Sequence, residues 1–202
     1  MKILTLLAAL SLPCALTAAE QTFDFKDPKG VNHASFTLDA PLEAISGNAN
    51  GVSGTLTIDP AKPEATKGSI TVDAKTLSVE NSLMKQHMLG ADWMDVEKNP
   101  AIIFTVDSLS DVKKTGDTVT ATVKGKFSVK GVEKEISVPA KVTLLPGRLA
   151  DRTGGKLKGD LLVVRSEFTF KRSDYGINPK APTDKVSDEV KITLAIAGSS
   201  PK

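Results

Sequence analysis

The chain has 202 residues, with 26 Lys and Arg against 24 Asp and Glu and a formal net charge of +2, so it lacks the strongly basic face that a nucleic-acid binder presents. One cysteine and two histidines leave little for a disulfide framework or a thiol nucleophile, and no Gly-x-Ser-x-Gly turn occurs. A chain of this length suits one domain around an ordinary apolar core.

The first twenty residues hold one early charge, Lys2, an apolar run from Ile3 to Leu12, and small residues at Thr17-Ala18-Ala19. That is the three-part form of a secretory signal, and the run is too short to span a bilayer. Cleavage is expected after Ala19, with Ala18 as the alternative, leaving residues 20–202 as a single domain that is periplasmic or secreted. Lipid attachment at Cys14 is the competing reading. Ser11-Leu12-Pro13 opposes it, because no small residue stands just before the cysteine. Cleavage also removes Cys14, so the mature domain must stand without disulfides.

Gln21 to Lys26 reads as a first strand with Asp27-Pro28-Lys29-Gly30 as its turn, and Val31 to Leu38 as a second. From Asp39 to Gly51 the pattern weakens, and Pro, Gly and Asn stand where a loop would want them. Val52, Gly54, Leu56 and Ile58 then alternate with polar residues, the mark of a half-buried antiparallel strand. Pro60 to Gly68 is a loop, and Ile70, Val72 and Ala74 form the next strand. At Asn81 the spacing changes. Asn81 or Ser82 caps a helix over about 82–90, with Leu83, Met84, His87, Met88 and Ala91 on one face and Gly90 as its stop. Such a helix, followed by the lone Trp93, has the makings of a lid, although a methionine stripe is more commonly core packing.

Asn99-Pro100 forbids further helix and opens a strand through Ile102, Phe104 and Val106. After a turn at Lys113 to Asp117 comes a long inward set from Val119 to Val129. Lys130-Gly131 folds it back onto Ile136, Val138, Ala140, Val142 and Leu144. Leu145 to Lys158 is basic and glycine-rich and reads as a solvent loop. Leu161 to Phe170 and Val190 to Ile196 supply the last strands. Eight or nine strands with one helix and no βαβ alternation predict an all-β, eight-stranded antiparallel barrel of lipocalin-like shape. A two-sheet sandwich remains open, because alternation alone does not separate a closed sheet from a packed pair.

One ordered set of residues resembles the YceI-like family, periplasmic lipocalin-like proteins associated with polyisoprenoid and other long-chain lipid binding. It begins with His87-Met88, Ala91-Asp92-Trp93, Asn99-Pro100, Ile102 and Phe104, and continues through Gly125-Lys126-Phe127 and Lys130-Gly131-Val132. It ends with Arg172-Ser173-Asp174-Tyr175-Gly176-Ile177 and Ser187-Asp188-Glu189-Val190. Asn99 stands where that family commonly has an aromatic residue. The resemblance implies a barrel whose interior is lined by Leu56, Ile58, Ile70, Val72, Ile102, Phe104, Val123, Phe127, Ile136, Val138, Phe168, Phe170, Ile192 and Leu194, with Met84, Met88 and Trp93 near the mouth. Such a wall recognises hydrocarbon, and each five-carbon isoprene unit would contribute roughly 3 to 4 kcal/mol before ordering costs.

The expected function is therefore storage or transport of a long-chain lipid, a polyisoprenoid, an isoprenoid quinone-like molecule or a fatty-acid derivative, with no turnover, no cofactor and no stable membrane insertion. A solid core serving a ligand-free interaction module in the periplasm is the alternative, since interiors normally pack without voids. An aromatic content of only 4% leaves less volume to fill such a core. No catalytic residue is assigned. His87 with Asp92 and Asp95 does not share one helical face, so no metal site is assigned either, and His87 is expected to be partly buried and hydrogen-bonded. Arg148, Arg152, Lys156 and Lys158 would meet a lipid phosphate if they stood at the barrel mouth, and otherwise form solvated surface. Arg172 and Asp174 are expected to pair at a strand end. A strand edge, if left open, would let two copies pair as a homodimer.

Overall fold

Apolar side chains at every second position give each strand one oily face, and closing the sheet on itself hides that face and removes the edges. The computed structural model describes residues 20–202 and has this form, an eight-stranded antiparallel barrel. The expected signal segment lies outside the described residues. Eleven strand segments build the barrel. The first six are β1 (Gln21–Asp24), β2 (His33–Asp39), β3 (Ala44–Ala49), β4 (Val52–Ile58), β5 (Lys67–Asp73) and β6 (Ser78–Val79). The other five are β7 (Ala101–Thr115), β8 (Thr118–Val129), β9 (Val132–Leu145), β10 (Gly159–Lys171) and β11 (Glu189–Pro201). Their order is β1-β4-β5-β7-β8-β9-β10-β11-β2-β3-β6, with β1 closing onto β11.

Eleven segments make eight strands because three strands are broken. β1 pairs with β4 while β2 pairs with β3, and β3 in turn pairs with β6 while β4 pairs with β5. Thus β1/β2, β3/β4 and β5/β6 are each one strand with an interruption. β11 spans the first break, meeting β2 through Lys191 to Ala195 and β1 at Ser199. Side chains stand in for the missing ladder bonds. Asn32, 2% exposed, donates from Nδ2 to Phe25 O and Ala197 O, both at 3.0 Å, and accepts Ala197 N–H at 2.9 Å. Gly51 N–H donates to Thr76 Oγ1 at 3.1 Å, and Gly51 O accepts from Asp73 N–H at 2.9 Å.

The stretch expected to be a loop from Asp39 to Gly51 therefore holds β3. It escapes a pattern reading because Gly47 sits mid-strand, where glycine is a poor strand former. The structure explains the glycine: a Cβ there would collide with the Phe36 ring and with Ser78 O. The turn expected from Lys113 shrinks to Gly116-Asp117, since β7 runs to Thr115. β7 carries two bulges, where its pairing with β8 slips between Val106 and Ser108 and again between Ser110 and Lys113. Each slip re-aims the side chains that follow.

Helix α1 (Ser82–Leu89) forms where expected, and Asn81 Oδ1 accepts from Met84 N–H at 3.0 Å to cap it. The segment from Leu145 to Lys158 is more ordered than a solvent loop. It contains helix α2 (Leu149–Thr153), which ends on Gly154 in the left-handed region and buries Leu149 to 2% exposure. Arg152 from α2 pairs with Asp27 at 3.1 Å. Burial pushes the Asp27 carboxyl up, but N–H donors from Asn32, Lys29 and Val31 and the Arg152 charge outweigh it and hold the group below its ordinary range.

Candidate functional site

The inward faces enclose a cavity of about 730 Å³, within the range of roughly 300 to 1,000 Å³ typical of small-molecule sites. It runs the length of the barrel. At one end lie the β4–β5 connection and the β7–β8 turn, represented on the wall by Asp59, Pro60, Pro63, Thr66, Lys114 and Asp117. At the other lie α1 and the connections that follow it, represented by Asn81, Leu83, His87, Trp93 and Arg172. Between these ends the wall is almost wholly aliphatic and aromatic.

Of the residues expected on the wall, Leu56, Ile58, Ile70, Val72, Ile102, Phe104, Val123, Phe127, Val138, Phe168, Phe170, Ile192 and Leu194 all border this space, as do Met84, Met88 and Trp93 at the α1 end. Ile136 does not. It lies opposite Gly125 and packs into the surrounding core instead. Gly125 itself is required, because the Phe104 ring and Thr105 O occupy the space where a Cβ would go. Around Phe127 the rings of Phe168, Phe170 and Tyr175 pack edge to face, with centroids 5.4 to 5.6 Å from its own. The aromatic side chains that border the cavity are thus gathered near the α1 end, while Phe23 and Phe25, both fully buried, pack toward the opposite end without bordering it.

A second part of the wall was not assigned from the sequence. Phe36 and Leu38 on β2, Ile45 on β3, Leu77 and Val79 around β6, and Met94 after α1 also border the cavity. Phe36 and Leu38 carried the signal, since they alternate with Thr37 and Asp39. Ile45 and Val79 carried none, because their strands are too short to display a period.

The structure corrects two expectations about polar groups at the α1 end. His87 is exposed and makes no side-chain hydrogen bond among the described residues; it rims the mouth together with Leu83, itself 59% exposed. Arg172 does not pair with Asp174. Asp174 instead meets Lys134 at 3.3 Å, while Arg172 is 1% exposed and spends all five N–H groups on backbone carbonyls. Nε donates to Ser187 O at 3.1 Å, one terminal nitrogen to Ile177 O and Asn178 O, and the other to Ala181 O and Val186 O. The guanidinium therefore staples the 177–187 strap across the barrel end. Its carbon lies 5.8 Å from the Trp93 ring centroid, so the indole meets a charge that forms no ion pair among the described residues.

Trp93 is held in place through its neighbour: Asp92 O accepts from Lys130 Nζ and from Asn178 N–H, both at 3.1 Å. Burial pushes the Asp188 carboxyl up, but two hydrogen bonds from Ser173 and the charges of Arg172 and Lys171 bring it below its ordinary value. The Tyr175 hydroxyl is buried without a hydrogen-bond partner among the described residues, and burial followed by the nearby Asp174 charge raises its pKa.

The basic segment stands away from this cavity. Arg148 pairs with Asp151, Arg152 pairs with Asp27, and none of Arg148, Arg152, Lys156 or Lys158 borders the wall. Among the described residues no group of three or more His, Cys, Asp or Glu side chains comes together to hold a metal ion, and no helix is long and apolar enough to cross a membrane.

Comparison with known proteins agrees with this architecture. A UPF0312 protein of Pseudomonas aeruginosa is 30% identical over 197 residues, covering 95% of this chain and 96% of its own. The crystal structure of Burkholderia cenocepacia BcnA superposes with a TM-score of 0.66 at 21% identity, covering 82% of this chain and 95% of that one. A polyisoprenoid binding domain from Saccharophagus degradans superposes with a TM-score of 0.63 at 12% identity, covering 91% of this chain and all of that one. The model of the YceI-like domain matches residues 17–197, and the chain belongs to that family.

Proposed function

We propose that this protein binds a long-chain apolar lipid inside the barrel and stores or carries it without chemical turnover. The single observation that supports this is the cavity itself, about 730 Å³ of space whose middle offers a ligand almost no hydrogen-bonding group. A wall of this kind rewards hydrocarbon at about 0.8 kcal/mol per buried CH₂, so a few isoprene units outweigh the cost of ordering the chain. Membership of the YceI-like family and the likeness to a domain described as polyisoprenoid binding favour a polyisoprenoid or quinone-like isoprenoid; a fatty-acid derivative meets the same wall. The same arithmetic predicts weak discrimination by length, because one methylene is worth only about 1 to 3 kcal/mol.

The expected compartment is the periplasm or the exterior, reached after removal of residues 1–19. Amino-terminal sequencing of the protein from a periplasmic fraction should begin at Glu20. Extraction of the purified protein with organic solvent, followed by mass spectrometry, tests the carrier reading. One long-chain lipid at near-stoichiometric amount supports it. An empty protein that also fails to take up a prenyl lipid from solution would favour the ligand-free interaction module.

A further inference from the structure

We infer that a single-tailed amphiphile lies in the cavity with its tail toward Trp93 and its anionic headgroup, a carboxylate or a phosphate, beside Lys114 at the opposite mouth. This rests on the carrier reading and adds a direction to it. Two cations border the cavity, one at each end, and they are not equivalent. At the α1 end every N–H of Arg172 is already donated to a backbone carbonyl, and the Trp93 ring lies over the guanidinium, so this cation has no donor left for a headgroup.

At the other end the second bulge of β7, with Asp111 at φ 53°, sets Lys114 opposite Val119 on the face that lines the cavity. Its amine donates to Pro60 O at 3.0 Å and forms no ion pair among the described residues. An ammonium has three donors, so two remain. Asp59 and Asp117 border the same mouth, but neither is paired with this amine, and Asp59 Oδ1 is turned to its own loop, accepting from Ala61 N–H at 2.8 Å. Lys114 is exposed, so a headgroup there keeps most of its hydration while the tail is buried. From Val119 to Phe127 on β8 is about 26 Å of strand, or roughly 20 Å along the barrel axis at the usual tilt, so the two ends are well separated for a probe.

Trp93 is the only tryptophan and reports on the α1 end alone. Two brominated hexadecanoic acids test the direction, one with bromine beside the methyl end and one with bromine beside the carboxylate. The first should quench Trp93 fluorescence on binding and the second should leave it nearly unchanged. Equal quenching by both, or the reverse order, would overturn the inference. In parallel, Lys114→Gln should weaken hexadecanoic acid binding roughly five- to tenfold and leave hexadecanol unaffected.

A prenyl phosphate and its alcohol, measured the same way, separate the two sources of charge: a loss confined to the phosphate assigns phosphate, and one confined to the fatty acid assigns carboxylate. An unchanged affinity for both anions, or an equal loss for acids and alcohols, overturns the headgroup role while leaving the carrier reading intact. If neither acids nor alcohols bind at all, the carrier reading fails and takes this inference with it.

Discussion

The two halves of the barrel solve the same problem differently. β7 to β11 are long and mostly continuous, and their ladders run for most of their length through backbone hydrogen bonds alone. β1 to β6 are three strands broken in two, and at each break a side chain or a turn carries the ladder across. The difference teaches where stability is concentrated. In the continuous half it is spread over many equivalent bonds, whereas in the broken half it rests on single residues such as Asn32. Both halves nonetheless contribute to one apolar wall, with Leu38 from the first and Val138 from the second.

That shared wall predicts the largest effect. Val138→Asp places a carboxylate on the lining with no partner, and the protein should lose its lipid entirely, as read by mass spectrometry of solvent extracts. Retention of lipid at the original stoichiometry would show that this part of the wall does not touch it. The next effect comes from the strap. Arg172→Met takes a donor from five carbonyls, of which Asn178 O alone keeps another, from Ala181 N–H, and should cost about 3 to 5 kcal/mol in urea unfolding. A loss below about 1 kcal/mol would mean that the strap is held by other contacts.

The contrast between the halves is sharpened by a pair of substitutions. Asn32→Ala should cost about 2 to 3 kcal/mol, because Phe25 O and both backbone groups of Ala197 lose their partner. Lys126→Ala on the continuous half breaks only an exposed ion pair with Glu133 and should change stability by less than about 0.5 kcal/mol. Equal losses would erase the distinction drawn above.

A smaller effect lies at the seam between the halves. Asp160 at the start of β10 accepts from Gln21 of β1, from Gly147 N–H and from the Lys202 amine. The Lys202 hydrogen bond, helped by those of Gly147 and Gln21 and opposed by burial, holds its carboxyl at about 2, below the ordinary 3.8. Because the folded value is the lower one, the ionised form is favoured by the fold. Its contribution is complete above about pH 4 and disappears as the pH falls through about 2. Asp160→Asn should flatten this part of the stability profile, which thermal melts across that range would reveal. The smallest change is expected from Lys156→Ala, which should leave lipid content and melting temperature unaltered, since Lys156 is exposed and stands away from the cavity.

Much of the continuous half was legible in advance. Alternation over ten or more residues in β8, β9 and β10 leaves little choice of element or face, and Lys130-Gly131 marks its hairpin through two positive φ angles. The helix α1 was readable from Asn81 and Gly90, whose capping roles are local. The broken half was harder. β6 has two residues and β3 carries a glycine demanded by Phe36, a contact that no periodicity reveals. Arg172 was misread for a related reason: an arginine two residues from an aspartate suggests a pair, but its five acceptors come from a strap that only folding brings around it.

Residues near one another in the chain thus determined by themselves the strand and helix types, the inward face of each long strand and the apolar chemistry of the interior. The tertiary structure alone decided that the sheet closes, that its centre is hollow, and that Asn32 bridges to Ala197 across 165 positions of sequence. The reason is one of range. Periodicity and capping act within a few residues, where a single sequence displays them. Closure, voids and stapled straps depend on which distant backbone groups arrive together, and that follows from how the whole set of side chains packs.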